Sequence, residues 1–220
     1  MKTSFVRLCA LVTVAPALLV SQSATSDAVP PRGTVPAVSL PLRTGTPWTL
    51  CLTDASQRAL SDAGMELQAV APVVLVTENG HRCLRWTVDG GGVDNELSAA
   101  TMDAAGGFAL VRGDRRAEFT DLHGTYTIGD DRAHASTVHH GDRIDTLTTP
   151  GNDVVISASG VDIHDAPSLL TQAAAAAVTA DIPNSPLRLD DHLFDVDLRV
   201  GVLPAAVPVS PRVVAGRERT

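Results

Sequence analysis

From residue 48 to residue 202 the apolar side chains recur at every second position in short runs, each broken by glycine or aspartate. Side chains on a strand point alternately to the two faces of a sheet, so this period builds half-buried strands. Phe108, Leu110 and Arg112 alternate with Ala109 and Val111, and Val196, Leu198 and Val200 alternate with Asp195, Asp197 and Arg199. Strands are predicted at Trp48–Leu52, Val70–Thr77, Leu84–Val88, Phe108–Arg112, Ala117–Leu122, Thr125–Ile128, Ala133–Val138, Ile144–Thr148, Val154–Ile163 and Leu193–Val202, with a further edge strand near Val38–Leu42. Many short strands between turn residues predict a mainly β chain, an antiparallel β-sandwich. Gly113-Asp114 and Gly129-Asp130 suit hairpin turns, so the tripeptide Arg112-Gly113-Asp114 reads as a turn.

Two stretches carry a helical pattern. Asp54–Ala63 places Ala55, Ala59, Leu60 and Ala63 on one face, with Asp54 as cap, Gln57 completing a capping box and Gly64 following the end. Gln172–Ala180 is alanine-rich, and alanine is the best helix former; Thr171 is its expected cap. Leu52-Thr53-Asp54-Ala55 aligns with Leu170-Thr171-Gln172-Ala173, which predicts a pseudo-repeated strand–helix–strand arrangement of two short α-helices.

The first segment reads as an export signal. Lys2 and Arg7 precede the apolar run Leu8–Val20, and Ser26-Asp27-Ala28 offers a small-x-small cleavage site, favoured over Ser21-Gln22-Ser23. The expected organisation is a signal peptide over 1–28, a Pro-rich leader over 29–39, a β-sandwich domain over 40–203 and a flexible tail over 204–220. Cleavage removes Cys9 and Lys2, the sole lysine, leaving Cys51 and Cys83. In an exported chain such a pair reads as a disulfide. The strand phases place both sulfurs on the face opposite Trp48 and Trp86; the other reading is two separate buried thiols.

A formal net charge of −8 argues against nucleic acid as a partner, because phosphate binding needs clustered Lys and Arg. No transmembrane segment is expected in the mature chain. The candidate metal ligands are His139 and His140, with Asp142 near them, and Asp162 and His164, two apart on one strand face. A transition-metal site needs three or four such groups to converge; the other reading is histidines dispersed over surface and turns. The chain has no G-x-S-x-G elbow and only 3% aromatic residues, so no enzyme is expected.

Leu52-Thr53-Asp54-Ala55, Val88-Asp89-Gly90-Gly91-Gly92-Val93-Asp94, Ala105-Gly106-Gly107-Phe108-Ala109-Leu110 and Leu170-Thr171-Gln172-Ala173-Ala174 resemble secreted actinobacterial β-rich proteins of HtaA-like type. The resemblance spans roughly residues 40–203. It implies a haem carrier that holds iron through a tyrosine backed by a histidine. The family's tyrosine lies early in the domain, whereas the single tyrosine here is Tyr126, which stands as the cofactor-binding candidate; no cofactor is expected. The reading is therefore an exported, non-catalytic envelope or extracellular module, binding or structural, whose ligand and partner the sequence leaves open. The alternative is a haem- or metal-binding carrier, and a secreted hydrolase comes third.

Overall fold

The computed structural model describes residues 39–203. The expected signal peptide, all but the last residue of the leader, and the tail lie outside the described residues. Among these residues the strands are β1 (Ser39–Pro41), β2 (Pro47–Leu52), β3 (Glu66–Val70), β4 (Val74–Glu78), β5 (His81–Thr87), β6 (Gly90–Asp94), β7 (Ala99–Arg112), β8 (Arg115–Thr127), β9 (Arg132–His139), β10 (Asp142–Pro150), β11 (Val154–Ser157), β12 (Gly160–Leu170) and β13 (His192–Gly201). The helices are α1 (Asp54–Asp62) and α2 (Gln172–Asp181). No helix among these residues is long and apolar enough to cross a membrane.

All strand pairs are antiparallel, in the order β1-β6-β7-β8-β9-β10-β12-β13-β2-β5-β4, with β11 on β12 and β3 on β7. The sheet curls so that its inner faces pack on each other like the two layers of a sandwich. β1 draws the curl together. It pairs with β6, and just past its end Leu42 bridges Val202, Arg43 N–H donates to Gly201 O at 2.8 Å, and Leu203 N–H donates to Pro41 O at 2.8 Å.

The alternating residues of β2, β5, β7, β8 and β13 fill the interior: Leu50, Leu52, Leu84, Leu110, Val196 and Leu198 are all buried. Few as they are, the rings form its centre. Trp86, Phe108, Phe119 and Phe194 are among the largest fully buried side chains; Phe108 stacks on Phe119 at 5.1 Å and meets Phe194 edge-on at 5.6 Å. Trp48 and Trp86 sit directly opposite each other on β2 and β5 and stack at 5.1 Å. On the other face of the same pair Cys51 lies opposite Cys83, with sulfurs 2.13 Å apart. The disulfide and the tryptophan stack thus follow from one register.

Several predicted elements change on folding. The run Val70–Thr77 divides at Ala71-Pro72 into β3, which pairs with β7, and β4, which pairs with β5. Proline brings no backbone N–H to a ladder, and the break lets one run serve two partners. Ala117–Leu122 and Thr125–Ile128 join into β8, because a bulge near Asp121, at φ 52°, absorbs the lost alternation. Val154–Ile163 divides into β11 and β12. Gly90-Gly91-Gly92 forms most of β6, a strand that alternation cannot mark because its glycines carry no side chains.

β7 carries β6 and β3 along the same edge, and the change of partner falls at Gly106-Gly107. A Cβ on Gly107 would lie 1.8 Å from Phe119 O on the paired strand, so only glycine fits this crossing.

The two helices begin alike. Thr53 caps α1, displacing Asp54 from that role; its Oγ1 accepts from Ser56 N–H at 3.1 Å, and Gln57 turns away to accept from Arg82 N–H at 3.3 Å. Thr171 caps α2 as predicted, accepting from Ala174 N–H at 3.2 Å. Each threonine also anchors its helix to a neighbouring strand. Thr53 N–H and Oγ1–H donate to Leu193 O and His192 O, while Thr171 N–H and Oγ1–H donate to Thr146 O and Asp145 O. The repeated Leu-Thr pair therefore builds one device twice.

Asp94 organises the turn from β6 to β7, accepting from the Ser98 hydroxyl and from the N–H groups of Ser98 at 2.6 Å and Ala99 at 3.1 Å. The Ser98 hydroxyl, more than the backbone donors, holds its carboxyl below the ordinary value, against a smaller opposing effect of desolvation. A carboxyl lowered on folding contributes stability above its unfolded value of about 4, and that contribution disappears as pH falls through the lower folded value. Asp94→Asn is therefore expected to flatten the acid limb of a stability–pH curve below about pH 4, read by chemical denaturation.

Candidate functional site

The tightest cluster of potential ligands is built by a hairpin and a helix end. β9 finishes at His139, which faces Asp142 across the hairpin, and the turn residues His140 and Gly141 both take positive φ, 51° and 91°. That is the conformation two-residue hairpin turns prefer. Opposite them stands Asp181, the last residue of α2. Its carboxylate lies 3.5 Å from His139 Nε2 and 3.1 Å from His140 Nε2. The three ligand atoms all fall within 4.8 Å of one another.

His139 is held on every side. Its ring stacks on Phe119 at 5.0 Å and lies 4.2 Å from the His140 ring, and its Nδ1 is 2.9 Å from Glu118 O. A carbonyl accepts, so Nδ1 carries a proton, and Nε2 faces the Asp181 carboxylate. Either a second proton on Nε2 or a metal cation between the two atoms satisfies that facing pair. Asp181 adds to the demand, because a carboxylate at a helix C-terminus meets the negative end of the dipole, and the last turn of α2 contains no basic residue. Ligand atoms around a tetrahedral metal with bonds near 2.0 Å stand about 3.3 Å apart. The separations of the two imidazole nitrogens from the Asp181 carboxylate, 3.5 Å and 3.1 Å, match that spacing.

The other predicted ligands go elsewhere. Asp162 pairs with Arg199 across β12 and β13 at 3.0 Å. His164 approaches Asp165 at 3.3 Å and Asp197 at 3.6 Å, but all three side chains are more than half exposed, and no backbone group fixes the imidazole. Asp142, beside His139 in sequence pairing, stays exposed and outside the cluster. Sequence reasoning missed Asp181. It stands 41 residues from His140 and one position beyond the predicted end of α2, so only the docking of the helix on the hairpin reveals it.

A second feature lies inside the curl. A largely apolar cavity of about 90 Å³ is walled by Leu42, Trp48, Leu122, Leu147, Val161 and Leu198, among others. It exists because Gly124 and Ala135, paired neighbours on β8 and β9, leave a shallow floor between Met102 and Leu147. Tyr126 stands in its wall and donates its hydroxyl proton to Gly151 O at 2.8 Å. The phenol is thereby committed to a backbone carbonyl.

No protein-family model matches the sequence, and no curated protein matches it. Its fold is similar to the crystal structure of the C-terminal domain of HtaA from Corynebacterium glutamicum, with a TM-score of 0.52 and 12% identity over 74% of this chain and 99% of that one. A crystal structure of HtaB from the same organism, described as a heme binding protein, matches with a TM-score of 0.41 and 12% identity over 74% of this chain and 96% of that one. The first match shows an HtaA-like fold.

Proposed function

We propose that the protein is an exported, non-catalytic binding module that holds one divalent transition-metal ion, of the zinc, copper and nickel class, at His139, His140 and Asp181. The observation that carries this reading is the convergence of His139 Nε2 and His140 Nε2 on the Asp181 carboxylate, with the other ring nitrogen of His139 held by the Glu118 carbonyl. Metal-bound histidines characteristically give their other ring N–H to such a partner. Two imidazoles and one carboxylate suit the borderline metals, and they leave a fourth position for water or a donor from a partner. Export is supported by the charged and apolar leader, Lys2 to Val20, and by the paired cysteines, which persist in oxidising compartments.

Protein purified without chelator, stripped and titrated calorimetrically with Zn²⁺, Cu²⁺ and Ni²⁺, is expected to bind one ion per chain. His139→Ala and Asp181→Asn are each expected to weaken binding by about 100-fold or more, with circular dichroism confirming the fold. Sub-stoichiometric binding, or unchanged affinity in both variants, overturns the assignment.

A further inference from the structure

We infer that the cavity inside the curl is a second binding site, for an uncharged, mostly apolar molecule bearing one oxygen-containing head group. This site is separate from the histidine cluster and does not depend on the metal reading. Its walls are mostly aliphatic, with the Trp48 indole, the Tyr126 phenol, the His134 imidazole and several threonines among them. No Asp, Glu or Arg lines it, so a cationic ligand would lose its hydration without a counter-charge and an anionic one would meet only His134.

The wall is not wholly apolar. Ser168 and Thr149, only 3% and 8% exposed, also line it. Trp48, also in the wall, has a buried Nε1–H without an acceptor. Buried polar groups are nearly always paired. A ligand's hydroxyl or carbonyl oxygen supplies the acceptor that the buried Trp48 N–H lacks, with Ser168 and Thr149 in the same wall. A cavity of about 90 Å³ is of the order that holds one small ring or a short alkyl chain.

Both tryptophans of the chain sit at this chamber or stacked behind it, almost fully buried, so a heavy atom in solvent barely reaches them. The full chain titrated with 2-bromoethanol is expected to show saturable quenching of tryptophan fluorescence. Gly124→Leu is expected to abolish it: a Cβ at that position meets nothing nearer than 3.8 Å, so the added side chain enters the chamber without displacing backbone. Ala135→Val does the same more mildly and serves if the leucine variant does not fold. Ser168→Ala is expected to weaken bromoethanol by about tenfold while leaving bromoethane unchanged, the size of one hydrogen bond to a buried group. Linear, non-saturating quenching of the wild type overturns the site. Saturation that survives in a folded Gly124→Leu or Ala135→Val variant places the ligand elsewhere and overturns it too. Equal loss of both probes in Ser168→Ala overturns the head-group assignment.

Discussion

Gly107→Ala is expected to unfold the domain, with a stability loss above about 4 kcal/mol. The added methyl would sit 1.8 Å from Phe119 O and 2.8 Å from both Phe119 C and Thr120 Cα. These are backbone atoms of the paired strand, so no rotamer change relieves the overlap. Relief requires prying β7 from β8 where Phe108 and Phe119 stack across the pair, which opens the ring cluster at the centre of the core. Gly124→Ala is the control: its methyl meets only ordinary contacts, and it leaves stability within about 1 kcal/mol. Urea titration of the two variants side by side checks both expectations, and a Gly107→Ala protein with a wild-type midpoint refutes the steric account.

Reduction of Cys51–Cys83 is the second large effect. The bridge closes a loop between residues 32 apart, which in the chain-entropy model stabilises the fold by about 3–4 kcal/mol. For a domain of this size the melting temperature should fall by roughly 10 °C. The double variant Cys51→Ala/Cys83→Ala should melt where the reduced wild type does and ignore reductant. Thermal melts with and without a phosphine reductant decide it. Because β2 and β5 remain paired through Trp48–Trp86 and Leu50–Leu84, the reduced protein is expected to stay folded at room temperature.

What the sequence reveals and what it conceals follows from where the information lies. Alternation discloses a strand wherever one face is greasy and the other wet, which is why β2, β9, β10 and β13 are legible within a residue or two. It falls silent at β6, where glycines carry no side chains, and it misleads at Ala71-Pro72, where one apolar run serves two partners. The cysteine pair is legible because phase alone places both sulfurs on the face away from the tryptophans. Two of the three candidate metal ligands are legible as well, since adjacent histidines stand out. Asp181 is not, because nothing local distinguishes it from the other aspartates. Its role arises from the docking of α2, which Thr171 anchors to β10 and whose last residue then meets the hairpin, 41 residues from His140 in sequence. The cavity is hidden for a related reason: Gly124 and Ala135 read as ordinary small residues until register sets them side by side.

The seam formed by β1 has a mechanical consequence. Pro41 and Leu203 are antiparallel neighbours, so both chain ends depart from the same end of the seam. A pull on residues 39 and 203 in opposite directions therefore loads these hydrogen bonds one after another, like the teeth of a zipper, and does not shear them together. Tethered at both ends under tension, the domain would peel open at this strand first, at low force, while the disulfide-linked strands behind it still held.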